Sequence, residues 1–155
     1  MQKTKYLLWI AVTESVGLLS GLLSRGGTQL YNEMIEKPAL SPPAILFPIV
    51  WTILYALMGI GAARVAAKNA GPSRSRALNV FVIQLILNFF WSLIFFNAQA
   101  FGFALLWLLL LWVVIILMIV LFWRVDKPAA LLQIPYLLWV TFAAYLNYAV
   151  WQLNR

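Results

Sequence analysis

The chain has 155 residues, 65% of them hydrophobic and only 10% charged, with a formal net charge of +7. Soluble domains run at roughly half apolar and about a quarter charged, so this composition excludes an ordinary soluble core. With no cysteine or histidine the chain has no disulfide, thiolate nucleophile, Ser-His-Asp triad or usual zinc site, and its four acids (Glu14, Glu33, Glu36 and Asp126) are too few for a carboxylate metal cage.

Five apolar stretches are each long enough to cross a hydrocarbon core of about 30 Å at about 1.5 Å per helical residue. The first, 6–23, follows Lys3 and Lys5 and carries Glu14. Its length, its acid and the lack of a small-x-small cleavage site in SRGGTQ set it apart from a cleaved signal peptide. Gly17 and Gly21 form a GxxxG pattern, which serves packing within the chain or dimerisation equally well. Residues 24–43 form a long connection, expected as a lid loop stiffened by Pro38, Pro42 and Pro43.

The second stretch, 44–67, passes Pro48 near its end, where only the Ala44 carbonyl loses a partner. It then presents Trp51, Tyr55 and Met58 on one face, followed by the small residues Gly59, Ala62, Ala63, Ala66 and Ala67. A polar turn, 69–76, leads to the third stretch, 78–97, where Gln84, Asn88, Trp91, Ser92 and Phe95 share a face. The short turn 98–100 makes a tight hairpin with the fourth, 101–123, whose only polar side-chain groups are tryptophans and which is expected to face lipid over much of its surface. The segment 124–128 leads to the fifth, 129–153. There Pro135 cannot donate to the Leu131 carbonyl and is expected to kink or loosen the helix, and Trp139, Phe142, Ala143, Leu146 and Asn147 follow on one face. The expectation is an all-α integral membrane protein, a single five-transmembrane-helix bundle.

Charge placement orients it. Lys3, Lys5, Arg64, Lys68, Arg74, Arg76, Arg124 and Lys127 fall on one side, against Arg25, Lys37 and Arg155 on the other. This bias puts the N-terminus and the 68–77 loop on the cytoplasmic side, and topology plus attraction to anionic lipid explains the charge without nucleic acid. Glu14, Asn88 and Trp139 lie at similar depth near the midplane, while Trp51 and Asn147 lie toward the long connection. Two readings of the polar and aromatic stripes stay open at this point. One is interhelical packing with Asn and Ser as hydrogen-bonding glue; the other is an apolar, aromatic-walled ligand pocket.

The motifs KPALSPPAILFPIVWTILYALMGIGAARV (37–65), LNFFWSLIFF (87–96) and PYLLWVTFAAYLNYAVWQLN (135–154) resemble those of the TspO/MBR family, the tryptophan-rich sensory proteins and translocator proteins also known as peripheral-type benzodiazepine receptors. The resemblance covers nearly the whole chain. It implies a ligand pocket under the first long connection, binding of porphyrins, haem and isoquinoline carboxamides, a role in tetrapyrrole handling or stress responses, and often a homodimer in a bacterial cell membrane. Carried over position by position, the ligand-binding residues are Pro42, Trp51, Asn88, Trp139, Ala143 and Asn147. Light-dependent porphyrin breakdown, proposed for bacterial relatives, would make Trp51 and Trp139 the reactive residues. No cofactor is required, and porphyrin or haem enters as the ligand.

Three positions depart from the family pattern. Leu40 stands where an aromatic is usual, Tyr31-Asn32 stands where Trp-Tyr is frequent, and Gln152 replaces the basic residue of the animal sterol motif. Arg155 is seven residues beyond Tyr148, outside the spacing that motif allows, so specific sterol binding is disfavoured. Small multidrug exporters also carry a glutamate in their first span, which makes proton-coupled export through Glu14 the remaining alternative.

Overall fold

The computed structural model describes residues 2–155, which are helical nearly throughout, with no strand among the described residues. The helices are α1 (Gln2–Leu23), α2 (Arg25–Met34), α3 (Leu46–Ala66), α4 (Pro72–Ser92) continued by a π-helical turn (Leu93–Asn97), α5 (Phe101–Val125), α6 (Lys127–Leu131) and α7 (Ile134–Asn154). Five units are long and apolar enough to cross a membrane: α1, α3, α4 with its π turn, α5, and α6 with α7. This is a multi-pass integral membrane protein built as a five-helix bundle.

Local chemistry sets the boundaries. Gly71, at φ +55°, makes the turn that starts α4, and Pro72 sits at its first position, where a missing N–H costs nothing. Asp126 is extended and caps α6, its carboxylate accepting the Ala129 N–H at 3.1 Å. Pro135 has the expected effect: the fifth span is interrupted at Leu132–Gln133, and α7 restarts with Pro135 in its first turn.

The connection 24–43, expected as a loop, is helical over its first half, which is α2. The physical reason is docking. Gly27 and Tyr31, four residues apart, lie on one face of α2, and that face meets the π turn. A Cβ on Gly27 would reach 2.5 Å from the Phe96 carbonyl, and Tyr31 packs on Phe95 and Phe96. Only 35–45, which holds the prolines Pro38, Pro42 and Pro43, remains irregular.

Around the bundle, α1 packs on α3 and α4, α4 on α5, and α5 on α7. The fourth span is more central than its composition suggested. Phe101, Ala104, Leu108, Leu111, Ile115, Met118 and Phe122 follow alternating spacings of three and four and form a buried seam, while Phe103, Leu106, Leu110 and Val113 are exposed. Close packing in lipid rests on shape and needs no polar residue. At the α1–α3 crossing a Cβ on Gly59 would lie 2.6 Å from the Ile10 Cα, and the Thr13 hydroxyl donates to the Tyr55 carbonyl at 2.7 Å. Gly17 seats the Tyr55 ring, whereas Gly21 has open space beside it, so half of the GxxxG pattern is used within the chain.

Candidate functional site: an aromatic cleft beside a buried polar network

Four side chains from three helices form a hydrogen-bonded chain in the middle of the bundle. The Tyr55 hydroxyl donates to Asn88 Oδ1, Asn88 Nδ2 donates to the Tyr136 hydroxyl at 2.8 Å, and that hydroxyl donates to Gln84 Oε1 at 2.7 Å. Gln84 and Tyr136 are fully buried, and Tyr55 and Asn88 nearly so. In hydrocarbon such groups must find partners inside the protein. Further toward the lid, about one turn beyond Asn88 on α4 and about three beyond Tyr136 on α7, Asn147 Oδ1 accepts the Trp91 indole N–H at 3.1 Å, and its Nδ2 donates to the Phe101 carbonyl at 2.8 Å.

Both candidate asparagines therefore have their oxygen and their NH2 engaged within the protein. They tie α3, α4 and α7 together (Asn88), and α4, the start of α5 and α7 together (Asn147). Trp51 stands over this network, its ring 5.6 Å from that of Tyr55 and 6.2 Å from that of Tyr136. Ala143 belongs to the buried stripe of α7, with Tyr136, Val140, Leu146, Asn147 and Val150. Trp139 and Phe142 stand one position off that stripe, at its edge.

That edge faces a cleft. The backbones of α3 and α7 do not pack closely; rings such as Phe47 on Trp139 and Trp51 on Tyr136 bridge them instead. Between them lies a depression of about 490 Å³ lined by Val50, Ile53, Leu54, Pro135, Leu138, Trp139 and Phe142. The Trp139 indole N–H is buried and has no hydrogen-bond partner. A buried indole donor normally finds one. The site is thus an apolar groove with no charged residue in its lining, and its wall residue Trp139 keeps its indole N–H buried rather than presented to the groove. Sequence reasoning found Trp139, Phe142 and Pro135, but missed Val50, Ile53, Leu54 and Leu138, which look like any lipid-facing residues. It placed Trp51 and Trp139 in one pocket, and the structure puts only Trp139 in the lining of this cleft.

The lid segment closes the end of the bundle above Trp139. Asn154 clasps the Glu36 main chain, Oδ1 accepting its N–H at 3.1 Å and Nδ2 donating to its carbonyl at 2.8 Å. Lys37 Nζ donates to the Asn32 and Ile35 carbonyls and lies 5.1 Å from the Tyr31 ring centre. Asn97 Nδ2 donates to the Leu23 carbonyl at 2.9 Å. Pro42 is half-buried in this segment, while Leu40 is exposed; the ring that reaches Trp139 is Phe47.

Two further candidates lie elsewhere. Glu14 is half-buried on α1, outside the cleft lining, with no side-chain hydrogen bond or ion pair among the described residues. At the opposite end of the bundle, Asp126 pairs with Arg64 at 2.7 Å and Lys68 at 3.4 Å. Burial alone would raise the Asp126 pKa, but hydrogen bonds from Arg64 and the Ala129 N–H, with the two nearby cations, outweigh it and hold the carboxyl below its ordinary range. Among the described residues no cluster of acids could hold a metal ion.

Known proteins share this pattern. The model of the TspO/MBR family matches residues 9–152. The tryptophan-rich protein TspO of Chlorobaculum tepidum is 40% identical over 95% of this chain and 94% of its own length. The protein CrtK of Rhodobacter capsulatus is 35% identical over 99% and 95%, and the human translocator protein is 37% identical over 78% and 73%. This chain, a five-span bundle matched from residue 9 in α1 to residue 152 in α7, belongs to the TspO/MBR family.

Proposed function

We propose that this protein is a membrane receptor for planar hydrophobic ligands, chiefly porphyrins and haem and also isoquinoline carboxamides, serving tetrapyrrole handling or a stress response. The α3–α7 cleft carries the reading. Its volume is within the roughly 300–1,000 Å³ of small-molecule sites, and its walls are aliphatic and aromatic. A macrocycle would stack on Trp139, with Phe142 and Phe47 at the rim and the segment carrying Pro42 above. Trp51, Asn88, Ala143 and Asn147 support this wall from behind. Haem would be held by shape and stacking, since the chain has no histidine or cysteine to take the iron. The basic end, with the N-terminus, is on the cytoplasmic side of a bacterial membrane.

The test is a titration of protoporphyrin IX followed by tryptophan quenching. Loss of part of the indole stacking surface, about 1 kcal/mol, predicts a roughly fivefold weaker Kd for Trp139→Phe. Unchanged affinity in the Trp51→Phe/Trp139→Phe double variant overturns the reading.

The indole at the cleft wall also favours a photochemical role. A light-excited porphyrin stacked there can take an electron from Trp139, with the photochemistry supplied by the ligand. Bleaching no faster than that of free porphyrin in detergent rejects it. Glu14 lies outside the cleft lining, so proton-coupled export gains no support from this geometry.

A further inference from the structure

We infer that the cleft is loaded sideways from the bilayer, through the seam between α3 and α7, while the lid stays latched. The inference rests on the docking reading above and specifies its route.

Two sets of contacts carry it. The lid is fastened to the bundle at two places: the paired Asn154–Glu36 hydrogen bonds, and the seating of Gly27 and Tyr31 on the π turn. Phe47 then packs edge-on over Trp139, 5.7 Å between ring centres, and closes the cleft from the lid side. The seam has no such fastening. Its lips, Ile53 at 55% and Leu138 at 65% exposure, are bare aliphatic side chains, and Pro135 beside them is also exposed. Both lips lie within the membrane-crossing helices, so the opening meets acyl chains. A planar apolar ligand concentrates in that phase, since water is its unfavourable environment. Passing through the seam breaks no hydrogen bond, whereas passing under the lid breaks the Asn154–Glu36 pair and unseats Tyr31.

The cysteine-free chain makes the test clean. One variant, Glu36→Cys/Asn154→Cys, is oxidised to lock the lid. A second, Leu138→Cys, is labelled in detergent with a bulky maleimide, as is a third, Ile53→Cys on the opposite lip. All are reconstituted in nanodiscs, and protoporphyrin IX association and dissociation are followed by stopped-flow quenching. A blocked route slows dissociation as well as association; both lips also line the cleft, so a label there that only crowds the ligand weakens affinity and speeds dissociation, and the dissociation rate tells the two apart. The expected result is a fall of about tenfold or more in both rates for either labelled lip, with rates within about twofold of the unmodified protein for the locked lid. Slowing by the lid lock, no change on labelling the lips, or lost affinity without slowed dissociation each overturns the route. Failure of the unmodified protein to bind porphyrin overturns the docking reading and the route with it.

Discussion

Tyr136→Phe is the sharpest test of the buried network. The substitution keeps the ring, which is fully buried, and removes only the hydroxyl. That oxygen accepts from Asn88 Nδ2 at 2.8 Å and donates to Gln84 Oε1 at 2.7 Å, so one donor and one acceptor are stranded, both buried. Stranding a buried polar group costs about 1–3 kcal/mol in soluble proteins, which for two groups gives about 2–6 kcal/mol. Hydrogen bonds in membrane bundles average nearer 0.6 kcal/mol, because the unfolded chain in the membrane also finds partners, which gives roughly 1 kcal/mol for two. The expected loss is therefore about 1–3 kcal/mol, measured by reversible unfolding in mixed micelles. Adding Gln84→Leu removes one stranded acceptor and recovers part of the loss. A loss under about 0.5 kcal/mol, or further destabilisation by Gln84→Leu equal to its cost alone, refutes the shared network.

Other perturbations probe other parts of the molecule. Gly59→Ala forces α1 and α3 apart, because its Cβ would lie 2.6 Å from the Ile10 backbone; a loss of about 1–3 kcal/mol in the same unfolding assay is expected. Asn154→Ala removes both lid bonds, so amide exchange over 35–45 accelerates while exchange across α4 is unchanged. Asp126 has its pKa lowered in the folded state, so its contribution is present above the unfolded value of about 3.9 and is lost as pH falls through the lower folded value. Melting temperature should therefore hold from neutral pH to about 4 and drop below it, and the drop should be smaller in Asp126→Asn, which itself is less stable at neutral pH by about 1–2 kcal/mol.

The bundle was legible because hydrocarbon imposes a length and a composition on every span, and Pro135 marked the break in the last one. The α2 helix was not legible. Gly26 and Gly27 in a polar stretch read as loop, and the segment is helical because Gly27 lets it lie against the Phe96 backbone, a contact between residues far apart in sequence. Asn88 and Asn147 were identifiable as inward-facing polar residues, but not what they bond. That depended on Tyr136, one turn before Trp139, and on the Phe101 carbonyl at the start of α5. The cleft was hidden for a different reason. Most of its lining is aliphatic, and a residue beside a gap has the same chemistry as one facing lipid; only the spacing of α3 and α7 tells them apart.

The interruption at Leu132–Gln133 has a mechanical consequence. Gln133 Nε2 bonds the Leu57 carbonyl at 3.1 Å and the Ala129 carbonyl at 3.3 Å, fastening the break to α3 and to the short helix below it. Above that anchor α7 is an uninterrupted helix, and Trp139 lies six residues along, about 9 Å at the usual rise. A tilt of about 10° at the joint displaces the indole by roughly 1.5 Å, about the thickness lost or gained by half an aromatic ring's van der Waals depth. The width of the cleft can therefore be set from a pivot outside it, and Trp139 is carried on the lever's near end, where small rotations give fine adjustment.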